Sequence, residues 1–119
     1  MTLSAPYFVA VITTELATDV EGYDEAAVRM ESLVNGYAGF LGVESVREGS
    51  GRGISVSYWR DLADLQAWRR DVEHRATMLR GQERWYQRYH VRVARVEREY
   101  QWDESEGLGL HGDEADRSL

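Results

Sequence analysis

The stretch "SYWRDLADLQAWRRDVEHR", residues 57–75, gathers side chains able to do chemistry. Tyr58, Trp59, Trp68 and His74 fall within seventeen positions of a chain that holds four Trp and three His. A His titrates near neutral pH and can take up or release a proton there. Tyr, Trp and Arg carry donors able to stabilise a developing oxyanion, and indole rings offer flat apolar surface. Packing explains the same residues. Trp68 lies on a stripe with Leu62, Leu65 and Val72 and fits a core position as well as a pocket wall. His74, three residues after Asp71, fits a capped or exposed helix turn as well as a base.

Other chemistries are excluded by residue type. There is no Cys, which removes disulfides, thiolate metal sites and Cys nucleophiles. No His–carboxylate set has metal-ligand spacing, and "GSGRG" lacks the Lys and the strand-to-helix setting of a phosphate loop. It reads as a flexible hairpin, and the Ser residues show no His–Asp partner set.

The elements that must position these residues follow from hydrophobic period. "YFVAVITTEL", Tyr7 to Leu16, is a β-branched and aromatic strand, apolar on both alternating faces and expected to be buried on both. In "EGYDEAAVRMESLVNGYAG", Tyr23, Ala26, Ala27, Met30, Leu33 and Val34 recur at helical spacing, with acids in the first turn and Asn35-Gly36 as a left-handed stop. "FLGVESVREG" and "GISVSYW" read as a hairpin. Asp61 is placed to cap a helix through "LADLQAW", and Asp71 a second piece to about Tyr86. The last strand is expected over Tyr89–Trp102. Its apolar phase changes from Tyr89, Val91, Val93 to Ala94, Val96, Tyr100, Trp102, so either a bulge lies near Ala94-Arg95 or its two ends are buried on opposite faces.

The order β-α-β-β-α-β is the split-βαβ, ferredoxin-like pattern of an α+β domain with helices on one face of an antiparallel sheet. One domain is expected over residues 1–102. Residues 103–119 hold six acids against Arg117 and form a mobile acidic tail in this reading, leaving little of the net charge of -7 on the body. The basic residues are all Arg. The chain has no basic excess for collecting phosphates, so nucleic acid is not an expected partner. No apolar run suits a membrane span and the start lacks a basic leader, which makes the cytoplasm the expected location. A first strand apolar on both faces needs cover on the side without helices, and a second copy of the chain supplies it. A homodimer with facing sheets is expected.

"GFLGVESVRE", "GISVSYWRDLADLQAWRRDVEHRA" and "RWYQRYHVRVARVEREY" together resemble the antibiotic biosynthesis monooxygenase family, over roughly residues 6–100. The resemblance implies a dimeric α/β barrel with a pocket between sheet and helices. The family includes cofactor-independent oxygenases of polycyclic phenols and haem-degrading enzymes. It implies that Trp68 lines the pocket and that His74 occupies a position where many members carry a His. The haem-degrading branch places its ligand His ten residues after that Trp, where this chain has Met78, and uses a strand Asn, whereas the sole Asn here is Asn35. Haem is therefore disfavoured and no cofactor is expected, with His90 as the remaining alternative ligand.

The reading favoured on this basis is cofactor-independent oxidation of an electron-rich phenol or quinol. His74 would be the base, Tyr58, Trp59 and Trp68 an aromatic slot, and Arg47, Arg60 or Tyr86 the oxyanion donor. The alternatives are a non-catalytic dimeric binder of a flat aromatic ligand and a haem monooxygenase.

Overall fold

The computed structural model describes residues 3–105. Leu108 and Leu110, with most of the stretch expected to be a mobile tail, lie outside them. The elements are β1 (Tyr7–Leu16), α1 (Tyr23–Val34), β2 (Phe40–Arg47), β3 (Arg52–Trp59), α2 (Leu62–Arg69), α3 (Val72–Arg84) and β4 (Tyr86–Val96). The four strands form one antiparallel sheet in the order β2-β3-β1-β4. This is the ferredoxin-like arrangement, with α2 and α3 sharing the place of the second helix. Among the described residues no helix is long and apolar enough to cross a membrane.

Strand register decides which side chains share a face. Ala10, Ile12 and Thr14 of β1 stand opposite Ser57, Ser55 and Gly53 of β3 and opposite Val93, Val91 and Tyr89 of β4. These positions look toward the helices. Tyr7, Val9 and Val11 fall on the other face, level with Tyr58 and Val56 on one side and Val96, Ala94 and Arg92 on the other. The main core lies on the helix side, where Ala10, Val34, Trp59, Leu65 and Trp68 pack together with Phe8, Met30, Leu33, Tyr37, Phe40 and Val91 against them.

Two cap expectations are corrected and a third holds. Asn35 is right-handed helical (φ -62°), and α1 closes through the tighter bonds Gly36 N–H to Leu33 O and Tyr37 N–H to Val34 O. The left-handed residue is Gly39 (φ +78°), where a Cβ would meet the Asp64 carboxylate. Asp61 holds the N-cap position of α2, but its side chain makes no capping bond. Asp71 does cap α3, accepting from the His74 backbone N–H at 2.8 Å.

β4 occupies Tyr86–Val96 rather than residues 89–102. Its end is set by pairing: Val96 lies opposite Tyr7, where β1 begins, so a longer β4 would have no partner strand on β1. There is no bulge near Ala94-Arg95. The register shift falls between Glu15 and Leu16, and the changing apolar phase reflects burial of the two ends of β4 on opposite faces. Beyond Val96 the chain stays in contact with the start of β1. Glu99 accepts from the Tyr7 hydroxyl at 2.6 Å and from the Leu3 backbone N–H at 3.1 Å. Part of the outer face of β1 is thus covered by its own chain, while Ile54 and Val46 remain exposed there.

Candidate functional site

A cleft of about 700 Å³ lies between the helices and the inner face of the sheet. Its floor is built of short side chains. Ala10, Ser45, Ser55 and Ser57 line it, and Ser45 and Ser55 satisfy each other by a 2.8 Å hydroxyl contact. Alternation in "VESVR" and "ISVSYW" puts serines on one side of the hairpin, and the register turns that side toward the helices. Where larger residues would have filled the space, the serines leave a cavity.

At one end stand Trp68 and His74, brought together by the break between α2 and α3. Their rings stack at 4.2 Å between centroids and 19° between planes. Tyr37 packs edge-on against Trp68, with centroids 5.2 Å apart, and its hydroxyl donates to Asp71 at 2.5 Å. Since the Trp68 carbonyl can only accept, the 3.2 Å contact with His74 Nδ1 makes that nitrogen the donor and leaves Nε2 as the proton acceptor. Burial, the largest influence, holds the imidazole below its ordinary value of 6.5. The nearby Arg69 charge acts in the same direction, and the bond to Trp68 and the Asp71 charge oppose them. His74 is therefore neutral, with a defined tautomer, at physiological pH.

At the other end Arg47 is held by three bonds. Nη1 donates to Gly51 O at 2.7 Å, and Nη2 donates to Thr14 Oγ1 at 3.1 Å and to the Tyr23 hydroxyl at 3.0 Å. Its guanidinium lies 5.5 Å from the Tyr23 ring centroid. Tyr86 packs edge-on to Tyr23, with centroids 6.1 Å apart, and burial together with the neighbouring Tyr23 raises its pKa well above the usual phenol range. It is a neutral donor, not a base.

Of the residues singled out in the sequence, Trp68, His74, Arg47 and Tyr86 line the cleft. Trp59 does not. It is fully buried at 0% exposure, packs on Phe40 and donates from Nε1 to Ser57 Oγ at 2.9 Å. Tyr58 is on the opposite face of the sheet, because adjacent strand residues point to opposite sides. There it donates to Glu44, a bond that, as the largest cause, pushes its pKa up to about 12. Arg60 is exposed beyond the end of β3 and is outside the cleft lining. The proposed slot of Tyr58, Trp59 and Trp68 is therefore not assembled; the stack of Trp68 and His74, backed edge-on by Tyr37, takes its place.

Sequence reading missed Arg69 and Arg75, which line the cleft near His74, and Tyr89, which stands on its β4 wall. The Arg69 charge acts on both His74 and Tyr89. Its position directly after Trp68, at the helix break, was the available signal.

The residues do not meet the haem-degrading pattern. Met78 lines the cleft at the position where the haem-degrading pattern has its ligand. His90 stands opposite Thr13, on the face away from the cleft, and Asn35 is exposed at the end of α1. Among the described residues, no group of three or more His, Asp or Glu side chains gathers to hold a metal ion.

Comparison with known proteins places this geometry in context. Residues 14–80 match the family model described as antibiotic biosynthesis monooxygenase. The Bacillus subtilis protein YqjZ is 44% identical over 100 residues, covering 84% of this chain and 88% of that protein. The fold is shared with SnoaB, a cofactor-independent oxygenase from Streptomyces nogalater. That match has a TM-score of 0.70, with 10% identity over 83% of this chain and 100% of SnoaB. Rv0793 from Mycobacterium tuberculosis has a TM-score of 0.69 at 11% identity, covering 80% of this chain and 99% of that one. A family match over more than half its length, on a fold and cleft of this kind, means that the chain belongs to the antibiotic biosynthesis monooxygenase family.

Proposed function

We propose that the protein is a small monooxygenase that oxidises an electron-rich aromatic, of the phenol or quinol type, without a cofactor. The observation that carries this reading is the His74–Trp68 stack on the wall of an apolar cleft. It presents a neutral imidazole, fixed in one tautomer, beside a flat surface. In the reaction His74 Nε2 takes the proton of the substrate hydroxyl. The phenolate then gives two electrons to O₂, forming a carbon–oxygen bond, and the proton held by His74 passes to the distal oxygen to give a hydroperoxide. Loss of the hydrogen on that carbon breaks the O–O bond, releases water and leaves the quinone carbonyl. Arg69 is the cation placed to steady the phenolate charge. SnoaB, a cofactor-independent oxygenase of the same fold, supports this chemistry by analogy.

The test is the pH dependence of turnover with a dihydroxy-aromatic substrate. Because burial depresses the His74 pKa, kcat/KM should rise on an acid limb centred below 6.5 and level off above it. The same shift acts on stability. The folded chain binds fewer protons at His74 than the unfolded chain, so the contribution is complete above 6.5 and is lost as pH falls through the lower folded value. An acid limb centred at or above 6.5 would count against His74 as the base.

Hemin titration should give no tight complex at one haem per subunit, since Met78 holds the ligand position. A saturating Soret band abolished by His74→Ala or His90→Ala would reverse the order of the two readings. The working form is proposed to be a homodimer that covers Val46, Ile54 and Val56 on the outer sheet face. Light scattering should give twice the chain mass at micromolar concentration, and a stable monomer would remove this assembly. A protein inert toward every quinol and anthrone tried, yet binding flat aromatics, would be the non-catalytic binder.

A further inference from the structure

The two ends of the cleft are too far apart to serve one reacting atom. Arg47 bonds to Thr14 at one end, and Trp68 belongs to the cluster packed with Ala10 at the other. Four strand steps separate Thr14 from Ala10, about 13 Å at the usual rise. The helix gives a similar figure. His74 lies in the first turn of α3, while Trp85, just beyond its end, touches the Tyr23 ring that carries Arg47. The ten steps from His74 to Arg84 span about 15 Å. Arg47 is therefore remote from a proton transfer at His74, contrary to the oxyanion role expected for it.

Its own surroundings give it another task. Three N–H groups are used on Gly51 O, Thr14 and Tyr23, all neutral acceptors. Arg47 takes no part in the ion pairs Arg29–Glu73 and Arg88–Glu15. Two N–H groups remain, on a planar cation already fixed in place. Gly53 maintains that position, since a Cβ there would lie 2.7 Å from Arg47 Cζ. The two N–H groups left, one on Nε and one on Nη1, point to different sides, so this guanidinium, anchored by neutral groups, suits an anionic group held by its charge and one charge-assisted bond.

We propose that Arg47 is the anchor for an anionic group at the far end of an elongated aromatic ligand. The natural ligand is thus a flat acid of two or three fused rings, with its carboxylate at Arg47 and its phenol at His74. This rests on reading the cleft as an aromatic-ligand site and adds a charge and an orientation to it.

Tryptophan quenching with the full chain tests it without turnover. The probes are a dihydroxyanthracene carboxylate and the methyl ester of the same acid. The acid should bind about tenfold or more tightly than the ester, and salt should weaken the acid alone. Arg47→Gln should erase the difference while leaving ester binding intact. Arg47→Lys should retain part of it, since the charge stays but the bonds that hold it in place are lost. Gly53→Ala provides a second variant that keeps the charge and pushes the guanidinium aside, and it should also reduce the preference for acid. Equal binding of acid and ester would overturn the anchor alone, as would an Arg47→Gln loss that is the same for both. Loss of the preference in Arg69→Gln but not in Arg47→Gln would overturn it too. Failure of both probes to bind would remove the aromatic-ligand reading with it.

Discussion

His74→Ala is expected to lower turnover of a dihydroxy-aromatic substrate by about 10²-fold or more, because it removes the neutral base on the stacked wall. Folding should be largely retained. Asp71 caps α3 through the backbone N–H of residue 74, which Ala also has. What is lost is a ring stack and one hydrogen bond at 3.2 Å, about 1–2 kcal/mol together. Oxygen uptake and urea denaturation measured on the same preparation separate the two effects. Turnover that survives unchanged would end the proposed role of His74. A fall in activity matched by a collapse in stability would make His74 a packing residue instead.

Trp59→Ala should have the largest effect on stability, about 3–5 kcal/mol. The side chain is completely buried, packs with Phe40, and belongs to the cluster that joins α1, α2 and the sheet. Removing it opens a void that the surrounding strands cannot close. Trp68→Phe should cost only about 1–2 kcal/mol, since most of the apolar volume stays. Denaturant midpoints compared with wild type check both values. If Trp68→Phe proved the more damaging, the cleft wall rather than Trp59 would be the centre of the core.

Much of the fold was legible because it depends on patterns that local physics enforces. The helical spacing from Tyr23 to Val34, the hairpin glycines and the Asp71 cap each follow from short-range sterics and hydrogen bonding. Element order then restricts the topology to a ferredoxin-like sheet, and residue types exclude Cys chemistry and a phosphate loop. Two of the positions where the reading failed depend on partners distant in sequence. The end of β4 is set by where β1 begins. The left-handed residue after α1 is Gly39, fixed by the approach of Asp64 from α2.

The candidate site divides in the same way. Sequence alone picked out Trp68 and His74, six residues apart, as chemically capable. It could not show that a break between α2 and α3 stacks them, because that geometry depends on how the two helices pack. Nor could it separate Trp59 from Tyr58: neighbours on a strand face opposite ways, and only the register says which face holds the helices. The serines of β2 and β3 and the side chain of Arg69 became part of the cleft for the same reason. Chemical capability is a property of residue type, whereas proximity and burial come from long-range pairing and packing, which the tertiary structure alone decides.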